Sequence, residues 1–198
     1  MNDLGIDVHT VVDWSSFCRE VSLDWGLKNR KKLGGQNVTV EIDEAKIGKR
    51  KDNKGRLVKG QWVFGGVERE NTANIFVVPV ESRSQDCLLK VIKENILPGS
   101  RIVSDYWKSY DCLESEGFIH LKVNHSINFV DPGTGAHTQN IERAWREVRA
   151  KIPRYGRKQK HYSGYLAEFM FKRAFPKHLQ RAHEFFKSAE SLYPPLHL

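Results

Sequence analysis

Cysteine is scarce and scattered in this chain. Cys18, Cys87 and Cys112 are its three cysteines. They are odd in number, far apart and never in a C-x-x-C pair, so neither a zinc ribbon nor a disulfide framework is encoded. A reducing compartment fits such usage. No apolar run reaches the roughly 20 residues that span a bilayer, and Met1–His9 lacks the basic-then-apolar pattern of a secretory signal. A secreted protein, or one with a membrane partner, is therefore not expected. Internal repeats and low-complexity tracts are also missing. What remains is 198 residues, 28% charged and 39% hydrophobic, enough to bury a core of ordinary size. The formal charge of +8 and pI near 9.4 favour a polyanionic partner.

Residues 8–27 read as an amphipathic helix, with Val11, Trp14, Phe17, Cys18, Val21 and Trp25 at three- and four-residue steps and Thr10 or Asp13 as its cap. The phrase G-I-D-V-H-T-V-V-D-W also resembles the second half of a helix-turn-helix. The basic linker K-N-R-K-K-L-G-G ends at Gly35, which sets a boundary. Val38, Val40 and Ile42 then alternate with Thr39, Glu41 and Asp43, as in a strand with one apolar face. Lys46–Gly60 is a basic loop. Trp62–Glu68 and Asn74–Val80 follow as strands, making an antiparallel meander. A helix over Ser84–Asn95, a strand at Ile102–Ser104, a helix over Trp107–Glu116 and a strand at Ile119–Val123 come next. A helix from about Thr138 to Lys151 carries the stripe Ile141, Trp145, Val148 and Ile152, with Thr138 as N-cap. Two aromatic-rich helices, Tyr162–Phe175 and Lys177–Leu192, close the chain.

This order predicts an α/β fold: a mixed sheet, three-stranded meander plus parallel strands, flanked by helices. It matches the order of a ribonuclease-H-like fold, with the first strand beside the fourth. The domain organisation read from it is an N-terminal helix and linker (1–35), a core (36–175) and a C-terminal helix and tail (176–198).

Three acids sit where this order can bring them together. Asp43 lies on the polar face of the first strand, Asp105 ends the fourth, and Glu142 starts the last core helix. Phosphodiester transfer requires an activated attacking oxygen and a neutralised leaving oxygen, which two Mg²⁺ ions about 3.5–4 Å apart supply. Mg²⁺ takes hard oxygen ligands and few of them from protein, so three carboxylates suffice. Each acid also has a plainer reading. Asp43 is flanked by Glu41 and Glu44, so nothing local singles it out. Asp105 fits an ordinary helix N-cap, and Glu142 fits an i,i+4 pair with Arg146.

The segments E-I-D-E-A-K-I-G-K-R, G-Q-W-V-F-G-G-V-E-R, V-P-V-E-S-R-S, I-V-S-D-Y-W-K-S-Y, V-N-H-S-I-N-F-V-D-P-G-T-G-A-H-T-Q-N-I-E-R-A-W and Y-L-A-E-F-M-F are co-linear from about Val38 to Phe175. Together they resemble the transposases of the Merlin superfamily, eukaryotic relatives of bacterial insertion-sequence transposases of ISXO type. The resemblance implies a DDE triad at Asp43, Asp105 and Glu142, two Mg²⁺ ions (or Mn²⁺), transposon-end and target DNA as partners, no small-molecule substrate, and a homo-oligomer. The 36 residues between Asp105 and Glu142 are the family's usual spacing. Arg149 stands where Lys is usual seven positions after the Glu, keeping the charge but changing the donor geometry. Gln139 stands in H-T-Q where H-T-N is commoner, which puts a loop contact in question. Relatives begin with a DNA-binding region, so the chain is expected to start inside or after it. Location is expected to be nuclear in a eukaryote and cytoplasmic otherwise.

Phosphate contacts are expected from Lys49, Arg50, Lys51, Lys54 and Arg56 in the basic loop, from Arg149, and from Arg154, Arg157, Lys158 and Lys160 after the last core helix. Tyr106 and Trp107 are candidates to stack on an unpaired base, with core packing the plainer role for Trp107. The function expected is metal-dependent hydrolysis and strand transfer in cut-and-paste transposition. Its rivals are a catalytically silent, domesticated or decayed DNA-binding protein and a stand-alone nuclease of the same fold.

Overall fold

The computed structural model describes residues 5–48, 60–124, 130–133, 135–153 and 158–195. Contacts divide the chain into two compact units, one formed by residues 1–30 with 163–198 and the other by residues 31–162.

In the larger unit, the alternating run beginning at Val38 forms the central strand, β2 (Thr39–Ile47). A two-residue strand, β1 (Leu33–Gly34), precedes it. β3 (Gln61–Glu68) and β4 (Ile75–Val80) follow as the expected antiparallel meander. Helix α2 (Gln85–Asn95) leads into β5 (Ile96–Leu97), which pairs with β1 in a small parallel sheet. β6 (Arg101–Asp105) and β7 (Ile119–Val123) complete the main sheet. Its order is β4-β3-β2-β6-β7, with β2–β6 and β6–β7 parallel. This is the mixed α/β sheet expected, consistent with a ribonuclease-H-like fold, and the first long strand does lie beside the fourth.

The two faces of β2 are covered differently. Val40 and Ile42 join Phe64, Phe76, Leu88, Ile92, Ile102, Tyr110 and Leu113 in one buried cluster. On the other side, helix α3 (Gln139–Lys151) lays Ile141, Ala144, Trp145 and Val148 inward and packs on β2 and β3. Strand periodicity of two thus sends Thr39, Glu41 and Asp43 toward α3.

One expected helix is corrected. Trp107–Glu116 is a single 3₁₀ turn at Lys108–Tyr110 followed by successive turns. Its hydrogen bonds run from residue i+3 to i, as in Tyr110 to Trp107, Leu113 to Tyr110 and Glu116 to Leu113. The anchors Tyr110 and Leu113, both fully buried, are three residues apart, the period of a 3₁₀ helix. The segment is short, and it ends at Gly117 in the left-handed region (φ 85°).

In the smaller unit, α1 (Val8–Lys28) is capped by Asp7, whose Oδ1 accepts the His9 N–H at 2.8 Å, rather than by Thr10 or Asp13. Its expected stripe is buried only toward the C-terminal end: Val21 is covered, whereas Val11, Trp14 and Phe17 are exposed. Trp25 packs edge-on against Phe171 and Phe175, placing α1 against α4 (Tyr162–Ala174); α1 also packs on α5 (His178–Leu192). No described helix is long and apolar enough to cross a membrane.

A candidate active site on the central strands

Two of the three predicted acids meet through strand register. β2 and β6 run parallel with Glu41 opposite Val103, so two residues further along each strand Asp43 stands level with Asp105. Asp43 is pushed up to about 7, first by burial and then by the negative charges of Glu44 and Asp105. Glu44, nearly enclosed, is also raised by burial; the Tyr110 hydroxyl that donates to it and Arg83, 3.6 Å away, oppose that shift, while Asp105 adds to it. The middle of β2 therefore concentrates negative charge in a poorly solvated place, which disfavours ionisation.

Asp43 is held on two sides. Its Oδ1 accepts the backbone N–H of Glu44 at 2.8 Å, and its Oδ2 accepts the indole N–H of Trp145 at 2.9 Å. Trp145 comes from α3, and it reaches the carboxylate by lying across β3 opposite Asp43. The residue paired with Asp43 on β3 is Gly65. A Cβ there would stand 2.9 Å from Trp145 Cη2 and 3.0 Å from the Phe76 carbonyl oxygen. Only glycine leaves the indole this path.

The third acid, Glu142, lies in the first turn of α3, one turn before Trp145. Its Oε1 accepts the Thr138 hydroxyl at 3.0 Å. Thr138 occupies the N-cap position, as expected, but its side chain makes no bond to the helix backbone. Among the described residues no three His, Cys, Asp or Glu side chains form a group able to hold a metal ion. The structure thus couples Asp43 with Asp105 and Glu44, and sets Glu142 one turn before the tryptophan that bonds Asp43.

Capping of α3 falls to Glu41, which sequence reasoning leaves unassigned. Glu41 is fully buried. Its Oε2 accepts the backbone N–H groups of Asn140 (2.9 Å) and Ile141 (3.3 Å), and its Oε1 accepts Asn140 Nδ2 (2.9 Å) and Arg69 Nε (3.1 Å). His137 Nδ1 lies 3.3 Å from Oε1. Orphan N–H groups at a helix start favour a carboxylate, here supplied from β2. Gln139, the departure in the H-T-Q-N run, is exposed, while the neighbouring His137 and Asn140 face Glu41.

Beside Asp105, Tyr106 is 71% exposed and Trp107 partly so. The Arg83 guanidinium lies between the Trp62 and Trp107 rings, 4.1 and 4.5 Å from their centroids. Trp107 donates its indole N–H to Ser109, so its ring stacks on an arginine at the surface rather than filling the core. Of the expected phosphate contacts, Arg149, Lys158 and Lys160 are exposed. Lys49, Arg50, Lys51, Lys54, Arg56, Arg154 and Arg157 lie outside the described residues. Trp145, Gly65, Glu41 and Arg69 carry no local signal as site residues, because their roles arise from contacts between distant segments.

Comparison with known families matches the ISXO2-like transposase domain to residues 32–174. An uncharacterized transposase-like protein of Haemophilus influenzae is 27% identical over 95 residues, covering 48% of this chain and 76% of that protein.

Proposed function

Because the chain belongs to the ISXO2-like transposase domain family, we propose that it is the catalytic core of a DDE transposase, with Asp43, Asp105 and Glu142 as its acids. The observation that carries the reading is the convergence of Asp43, midway along β2, and Asp105, at the end of β6, with the ionisation of Asp43 held back until about pH 7. The donor set consists of hard carboxylate oxygens, which suits Mg²⁺ or Mn²⁺. A divalent ion bound there supplies activation of the attacking oxygen and neutralisation of the leaving one.

The chain's own residues contribute orientation. Trp145 and the Glu44 amide fix both oxygens of Asp43, leaving its remaining lone pairs for an ion. The cap on α3 sets where Glu142 projects, and Thr138 holds it there. In this reading water attacks a phosphodiester at a transposon end, and the freed 3′-OH attacks target DNA. Phosphate oxygens of the DNA are met by the exposed cations Arg149, Lys158 and Lys160 and by those of the 46–60 loop. No covalent link to the protein is required.

A second reading, a DNA-binding protein without catalysis, is favoured by one observation: Glu142 is not grouped with the other acids at metal-holding distance among the described residues. Joining of a pre-cut end duplex from the parent element to plasmid, in Mg²⁺ or Mn²⁺, separates the two. Products from the wild type that vanish in Glu142→Gln support the transposase core. Salt-sensitive DNA binding with no products supports the second reading.

A further inference from the structure

Glu41 is a buried charge-bearing side chain that the acid triad does not use. It is fully enclosed, two residues before Asp43 on the same strand and face. Removing a carboxylate from water is costly unless partners replace the lost hydration. Its partners come from two separate segments. Arg69 follows β3, His137 precedes α3, and Asn140 and Ile141 open α3. Arg69 also donates through Nη2 to the His137 carbonyl at 2.8 Å, closing the network onto the loop that enters the helix. The side chain of the N-cap residue makes no capping bond to the α3 backbone; its hydroxyl is given to Glu142 instead.

Resting on the transposase reading above, we propose that Glu41 is a positioning residue for Glu142. It pins the first turn of α3 to the strand that carries Asp43, and so sets the separation of the first and third acids of the site. Asp43 is two residues along β2 from Glu41, and Glu142 is one residue beyond Ile141, whose N–H Glu41 accepts. The latch thus ties together the two short stretches of backbone that carry these acids. Arg69 balances its charge, so it draws the helix end down without adding an uncompensated anion beside Asp43. The H-T-Q-N-I-E run acquires a division of labour. Asn140 and the Ile141 amide hold Glu41, Thr138 holds Glu142, and Gln139 faces solvent.

The test is a double-mutant cycle on the full chain with Glu41→Gln, Glu142→Gln and the pair. Two quantities are read for each: Mn²⁺ affinity by titration calorimetry and the rate of end joining. Gln retains the volume but turns an amide toward N–H donors. Glu41→Gln is expected to lower both quantities by about 10–100-fold, as for residues that orient metal ligands. The pair is expected to be no worse than Glu142→Gln alone, since the latch acts through Glu142. Independent losses that multiply in the pair would overturn the positioning role. So would wild-type values for Glu41→Gln. Should Glu41→Gln fail to fold, Asn140→Ala removes one side-chain contact and keeps both backbone donors. It should give a smaller loss in both quantities, again absent beside Glu142→Gln, and multiplying losses refute the role here too. If Glu142→Gln itself matches the wild type, the reading of the site falls, and the positioning role with it.

Discussion

Replacing Asp43 by Asn should flatten the pH dependence of stability in metal-free protein. The carboxyl titrates at about 7 in the folded chain against an ordinary value of 3.8. A raised folded value means that the native state retains its proton after the unfolded chain has lost it. Stability is therefore undiminished below the unfolded value and is lost as pH rises toward the folded one. At about 1.4 kcal/mol for each pH unit between the two values, the penalty approaches ~4 kcal/mol by pH 8. Between pH 5 and pH 8 it grows by ~3 kcal/mol, or about 6–12 °C in Tm for a chain of this size. Asn keeps one oxygen and loses the other, so either the Trp145 indole or the Glu44 amide loses its acceptor. That costs ~1 kcal/mol, but equally at every pH, so the slope and not the offset is diagnostic. Thermal melts in EDTA from pH 5 to 8 provide the assay. The wild type should lose stability relative to Asp43→Asn as pH rises, and Mn²⁺ should restore it at pH 8 in the wild type alone. Parallel curves for the two proteins would refute the account of Asp43 as a carboxyl kept neutral by burial and by Glu44 and Asp105.

Gly65→Ala should destabilise the larger unit by ~1–3 kcal/mol, because the new methyl group meets the Trp145 ring and the Phe76 carbonyl. It should also pull the indole from Asp43, seen as a changed near-ultraviolet aromatic dichroism in the folded mutant. Tyr106→Ala should weaken binding to DNA with an unpaired base by ~1–3 kcal/mol while leaving duplex affinity unchanged in fluorescence anisotropy. Equal losses on both substrates would instead make Tyr106 a general surface contact.

Alternation of Val38, Val40 and Ile42 with polar residues makes β2 readable, and the meander and the parallel pairing beside it follow from element order. The level placement of Asp43 and Asp105 can be anticipated because a strand register fixes it. Glu41 cannot be separated from Asp43 and Glu44 by inspection. Three acids within four residues look alike until the partners of each are known, and those of Glu41 lie as far as 100 residues away. Local rules give the capping of α3 to Thr138 because it is the residue before the helix. They take no account of a buried carboxylate arriving from another strand. For α1 the difference is of another kind. The spacing of Val11, Trp14 and Phe17 gives a helical face but not what covers it, and in the described unit that face is open. The segment after Asp105 has apolar anchors three apart, which sequence patterns assign as readily to an α-helix as to the tighter turns found.

The capping of α3 from a distant strand has a kinetic consequence. A thirteen-residue helix is about the length at which isolated helices are marginal in water, and the N-cap residue of this one makes no side-chain capping bond. It gains its N-terminal partner only when β2 is already in place, across nearly a hundred residues of chain. Closing a loop of that length precedes any reward from the contact, which slows folding. Asp43 and Asp105 are therefore synthesised well before the helix that carries Glu142, whose docking is expected late in folding. A nascent chain that has emerged only as far as β7 carries Asp43 and Asp105 but lacks the element bearing Glu142.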